Sequence, residues 1–138
     1  MRYLLDVNAL LALGVIQHEF HTRSANWARS LAASGDPELL TCSITELGFV
    51  RILAQAARYG LDLSQAQSLL LRVKGEGLAR YTFVPDDQDV SQLPSWVKNA
   101  GQVTDGHLVR LAAAHDAVLA TLDTRIPGAF LIPVSTQT

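Results

Sequence analysis

Four acidic residues stand where an apolar, strand-like run gives way to a helix or turn. They are Asp6 in YLLDVN, Glu46 in TCSITELGF, Asp105 in QVTDGHL and Asp123 in VLATLDTR. If the runs pair in one parallel sheet, all four fall along its carboxyl-terminal edge, where open α/β sheets bind their ligands. Crowded carboxylates repel one another and raise each other's pKa unless a cation neutralises them. Hard, oxygen-seeking Mg²⁺ or Mn²⁺ suits that role. The chemistry this points to is metal-dependent attack on phosphate.

Each acid also has a plainer explanation. Asp6 can cap the helix that follows, as can Asn8. Ser43-Ile-Thr-Glu46 matches a capping box, with Glu46 reaching back to the Ser43 amide. Asp105 falls in a first helical turn, which favours negative charge, and Thr104 beside it can serve as the cap. Asp123 fits a turn. A cap and a site are not exclusive, and helix N-termini at that edge would themselves receive phosphate oxygens.

The elements that must position these acids read as follows. RYLL is a strand ending at Asp6, and NALLALGVI has helical spacing. EFHTRSANWARSLAASG is an amphipathic helix with Phe20, Trp27 and Leu31 on one face. ELLTC is a strand. Ser43 opens a helix running to Gly60, and Ser64 opens another. YTFVP is β-rich, and residues 86–102 form an irregular stretch with a short helix and a surface loop. A helix begins near Thr104, AVLATL is a strand ending at Asp123, and AFLIPV is a last strand. Strands alternating with helices predict an α/β fold with a central parallel sheet, as a single domain over residues 1–138.

Composition narrows the class. The chain has 138 residues, 49% hydrophobic and 17% charged, which is enough for one packed core and argues against disorder. The net charge of −2 weighs against a protein that coats nucleic acid, but an acidic cleft carrying metal is compatible with a nuclease. Cys42 is the one cysteine, so no disulfide framework or thiolate zinc site is expected, and it reads as a small buried hydrophobe. No apolar run approaches the ~18 residues that span a bilayer. The apolar opening is interrupted by Asp6 and Asn8 and shows no small-residue cleavage site, so it is expected to be part of the mature fold, in the cytoplasm.

The four motifs together resemble those of the PIN-domain ribonucleases, in particular the VapC toxins of type II toxin–antitoxin pairs. LLDVNALLAL resembles the first motif, ITELGFVRIL the second, and VTDGHLVRLAAAHDAVLATLDTR the third and fourth, in order and spacing. The resemblance covers essentially the whole chain and implies a PIN-like three-layer sandwich. It also implies an endoribonuclease dependent on Mg²⁺ or Mn²⁺, with Asp6 and Asp105 as principal metal ligands. Glu46 and Asp123 would complete the acidic pocket, and Asn8 and Thr104 would support it. A homodimer is implied, as is a cognate antitoxin that places a basic residue in the pocket, a good match for a carboxylate cluster. The alternatives are a housekeeping PIN nuclease and an inactive PIN-like binding module.

Other residues read as structural. Arg51 and Arg125 are the basic residues nearest the motifs and are candidates for phosphate contact. His18 and His21 fit helix packing, and His115 a helix C-terminus. Trp27 and Trp96 read as core or interface anchors. A phosphotransfer domain would add a lysine at the sheet edge, and Lys74 and Lys98 fall in poorly matching places.

Overall fold

The computed structural model describes residues 1–77 and 79–134, so the last four residues of the expected 1–138 domain lie outside the described residues. The strands are β1 (Arg2–Leu5), β2 (Glu38–Thr41), β3 (Arg80–Phe83), β4 (Val118–Thr121) and β5 (Phe130–Leu131). They form one sheet in the order β3-β2-β1-β4-β5, and every neighbouring pair is parallel. The helices are α1 (Val7–Gly14), α2 (His21–Ala33), α3 (Ser43–Gln55), α4 (Leu63–Glu76) and α5 (Val103–Ala114).

The sheet is covered on both faces, which is why its central strands read as unbroken apolar runs rather than alternating ones. Successive side chains point to opposite faces. Tyr3, Leu5, Leu39 and Ala120 join a core with Ala9 and Leu10 of α1, Trp27 of α2, Phe49 and Leu53 of α3, and Leu70 of α4. Leu4, Leu40 and Leu119 join a second core with Leu108, Leu111 and Ala112 of α5. Three layers result: α1 to α4, the sheet, and α5. Each fully buried leucine contributes roughly 2 kcal/mol through area removed from water.

Several boundaries differ from those read in the sequence. The α2 helix starts at His21, because residues 15–20 form turns, with His18 N–H on the Val15 carbonyl and His21 N–H on the His18 carbonyl. The α3 helix stops at Gln55. A short 3-10 turn, Ala57–Tyr59, carries the chain to Gly60, whose φ of +63° is easy for glycine. The α4 helix opens one residue before Ser64, because Asp62 caps it reciprocally with Gln65. Thr104 is the second residue of α5 rather than its cap, and that position belongs to Gln102. The irregular stretch contains two 3-10 turns, Val90–Gln92 and Ala100–Gln102. Cys42 is buried, as expected.

One close approach fixes two site-bearing helices. A Cβ added to Gly48 would meet Val7 Cγ2 at 2.7 Å, so α1 and α3 cross at a distance only glycine permits. No helix among the described residues is long and apolar enough to cross a membrane.

Candidate active site

Asp6 follows β1 directly and is the N-cap of α1. Its Oδ1 accepts the Ala9 N–H at 2.8 Å, and its Oδ2 accepts the Thr121 hydroxyl at 2.5 Å. The side chain is buried, and that burial raises its pKa above the ordinary carboxylate value. The two hydrogen bonds oppose the rise, and the charges of Asp105 and Asp123 add to it. Asp6 is therefore a cap and a strained anion at once.

Asp105, in the first turn of α5, is likewise pushed up, first by burial and then by Asp123. Asp123 stands two residues beyond β4 rather than at its end. Its carboxylate takes Arg125 Nε at 3.0 Å on Oδ1 and the terminal guanidinium nitrogen Nη2 at 3.1 Å on Oδ2, with the Arg125 backbone N–H at 2.9 Å. Those hydrogen bonds hold its pKa down. Asp6, Asp105 and Asp123 thus lie within one another's fields.

Glu46 is placed differently. Its Oε2 accepts Lys74 Nζ at 2.5 Å and the Thr41 hydroxyl at 2.6 Å. The expected Ser43–Glu46 capping box does not form. Cys42 is the N-cap, and its N–H donates to Thr45 Oγ1 at 3.1 Å, so the box lies one residue earlier and leaves Glu46 free to turn toward Lys74. Lys74 comes from α4, 28 positions away, which is why its link to the motif is invisible in the sequence.

The four acids therefore divide in two. Glu46 and Asp123 each carry an ion pair with a cation of the chain. Among the described residues, Asp6 and Asp105 have no such partner within salt-bridge distance. Asn8 is exposed on the first turn of α1, Thr104 is exposed on α5, and Arg51 is exposed on α3.

A protein-family profile search matches nothing. Individual relatives are clear. Ribonuclease VapC29 of Mycobacterium tuberculosis is 36% identical over 142 residues, covering 99% of this chain and 100% of the relative. The chain belongs to the VapC ribonuclease family. VapC44 and VapC39 of the same organism are 34% and 33% identical, covering 94% and 91% of this chain and the same shares of themselves. The crystal structure of VapBC2 from Rickettsia felis, bound to a DNA fragment from their promoter, contains a chain of the same fold. Its TM-score is 0.58 at 18% identity, covering 94% of this chain and 96% of that one.

In this VapC family member the donor set is all carboxylate, the type that hard divalent cations take. The acids are neighbours by field rather than by tight convergence: among the described residues no three His, Cys, Asp or Glu side chains are grouped closely enough to hold an ion. What fits a cation is the charge of Asp6 and Asp105, both raised in pKa and neither in an ion pair among the described residues, with Arg125 offsetting Asp105 only in part.

Reading the sequence missed three partners: Thr121, Thr41 and Lys74. Each threonine ends a strand whose other central residues are apolar, and a buried hydroxyl in such a run was the available signal. His107 is tied to Asp86, with Nε2 2.6 Å from Oδ2. Arg110, three residues on, reaches the Asp89 carbonyl and the Gln88 side chain. Together they stitch the 86–102 stretch onto α5. His21 Nδ1 donates to the Ala12 carbonyl at 2.8 Å, and His115 is the C-cap of α5. Trp27 is core, whereas Trp96 is half-buried and lines a cleft with Asp105 and Asp123.

Proposed function

We propose that this VapC family member is the toxin of a type II toxin–antitoxin pair, an endoribonuclease that hydrolyses RNA phosphodiester bonds at the edge holding Asp6, Asp105 and Asp123. The single observation that carries the reading is the full-length match to the VapC ribonucleases, 36% identical over 99% of the chain. The placement of Asp6, buried, and Asp105, half-buried, neither in an ion pair among the described residues, supports the assignment of the site.

Asp6 and Asp105 are the groups that would hold Mg²⁺ or Mn²⁺, with Asp123 contributing from the Arg125 pair. A divalent ion there supplies an activated water and charge stabilisation on phosphate oxygens. Thr121 and the Ala9 N–H orient Asp6 so that its carboxylate stays fixed as charge develops. Arg125, with an exposed side chain, meets the phosphate. Glu46, paired with Lys74 in a cleft of its own, would act on the site from outside the aspartate group, and Asn8 and Thr104 would flank it as polar supports.

The partners of this reading are RNA as substrate, a cognate antitoxin and a second copy of the chain, acting in the cytoplasm. An antitoxin guanidinium is a natural counter-charge for Asp6 and Asp105, since neither has a cation within salt-bridge distance among the described residues. The test is to sequence the 5′ ends of RNA fragments made on induction, beside an Asp6→Asn control. Discrete cuts absent from the control are expected. Cuts that persist in a folded Asp6→Asn protein would overturn the site.

A further inference from the structure

Two clefts open beside the Asp123–Arg125 pair, and both residues line both of them. The first, about 400 Å³, is bounded by Asn8, His18, Phe20 and Thr124, from the α1–α2 side of the sheet. The second, about 270 Å³, is bounded by Trp96, Asn99, Gln102 and Asp105, from the α5 side. Each cleft therefore brings one aromatic ring and polar side chains to the same ion pair from opposite faces of the fold.

The polar groups are set for recognition. The Phe20 N–H donates to His18 Nδ1 at 3.1 Å, so that nitrogen is an acceptor and the ring proton belongs to Nε2. Burial lowers the His18 pKa and so favours the neutral ring. In the second cleft, Gln102 Oε1 already accepts the Lys98 N–H at 2.7 Å, which leaves its amide NH₂ as a donor. Asn99 is exposed, and Phe20 is 37% exposed.

The volumes lie at the small end of ligand sites, suited to one flat group each and too small for a paired stem. Arg125 uses Nε and Nη2 on Asp123, so Nη1 stays outside that pairing. A cation between two aromatic-bearing clefts matches a chain of alternating phosphate and base. RNA is read in this way where its bases are splayed from a single strand onto aromatic side chains.

We propose that the two clefts hold the bases on either side of the scissile phosphate of single-stranded RNA, one against Phe20 and the other against Trp96, with Arg125 on the phosphate between them. The inference rests on the ribonuclease reading and adds to it the substrate's strandedness and register.

The test uses the full-length protein and an RNA oligonucleotide that it cuts, remade with an abasic residue placed in turn at each position around the cut. Removing either flanking base is expected to slow the wild type roughly tenfold, the scale of one base–aromatic stack. Phe20→Leu is expected to become indifferent to the loss of one flanking base, and Trp96→Leu to the loss of the other. Asn99→Ala, at an exposed position, is expected to weaken the same side as Trp96→Leu and guards against a folding defect at the half-buried tryptophan. A wild type indifferent to both abasic positions overturns the inference while leaving the ribonuclease reading intact. So do variants that keep full sensitivity, or that both lose it at one position. A wild type that cuts no RNA overturns the ribonuclease reading and the inference with it.

Discussion

Thr121 Oγ1 donates a 2.5 Å hydrogen bond to Asp6 Oδ2, joining the end of β4 to the residue that follows β1 across 115 positions of sequence. The bond favours the ionised carboxylate and opposes the rise in pKa that burial imposes. Thr121→Val keeps the shape and removes both the donor to Asp6 and the acceptor of the Asp123 N–H, so the Asp6 pKa is expected to rise further. The acid limb of the pH–rate profile then moves to higher pH, with a stability loss of about 1 kcal/mol. A profile superposing on the wild type's contradicts this.

Asp6 also sets a pH dependence of stability. Its folded-state pKa is above the unfolded value, so the unfolded chain gives up the proton first. Stability is therefore lost as pH rises from the ordinary carboxylate value through the raised one. Asn at this position keeps a capping oxygen and has no charge to bury. In chelator, Asp6→Asn is expected to melt above the wild type at pH 7, with the gain fading as pH falls below the ordinary carboxylate range. Thermal melts across pH measure it, and a variant less stable at pH 7 refutes it.

Gly106 precedes His107 on α5, and a Cβ there would meet Val97 Cγ2 at 2.3 Å. Valine is stiff at χ1, so the clash is not relieved by rotation. Gly106→Ala is expected to cost about 1–3 kcal/mol and to lower cleavage by displacing Asp105 against the 86–102 stretch. Val97→Ala in the same chain should restore most of both. Denaturant midpoints and cleavage rates of the single and double variants decide it.

The Glu46–Lys74 pair is partly buried, and Glu46 also receives the Thr41 hydroxyl. Because its charge is already balanced, Glu46→Gln is expected to reduce cleavage less than Asp105→Asn does. Lys74→Met leaves the partly buried Glu46 without its counter-charge and should cost about 1–3 kcal/mol in stability. Rate constants for the two carboxamide variants, measured side by side, check the ranking.

The parallel sheet was legible because its central strands are apolar runs, and β1 and β2 are each followed directly by a helix. The positions of the edge acids were legible because Asp6 and Asp123 follow strands and Asp105 opens a helix. What could not be read was pairing across distance: nothing near Glu46 in sequence announces Lys74. The misplaced capping box has a local reason, since both Ser43 and Cys42 can precede a helix and the register was decided by the fit of Thr45 to the Cys42 N–H. Trp96 read as an anchor because of its residue type, and it does pack against the core beneath α5, while its place beside Asp105 depends on the stitching of the 86–102 stretch by His107 and Arg110.

Asp6 and Asp105 are proposed as the acids that need an external cation. The most direct measurement is cleavage of RNA by purified protein in EDTA, then with Mg²⁺ or Mn²⁺ restored, for the wild type, Asp6→Asn and Asp105→Asn. The expected result is cleavage by the wild type that stops in EDTA and returns with the metal, and no cleavage by either folded variant. Cleavage that persists in EDTA, or in a folded Asp6→Asn protein, would contradict it.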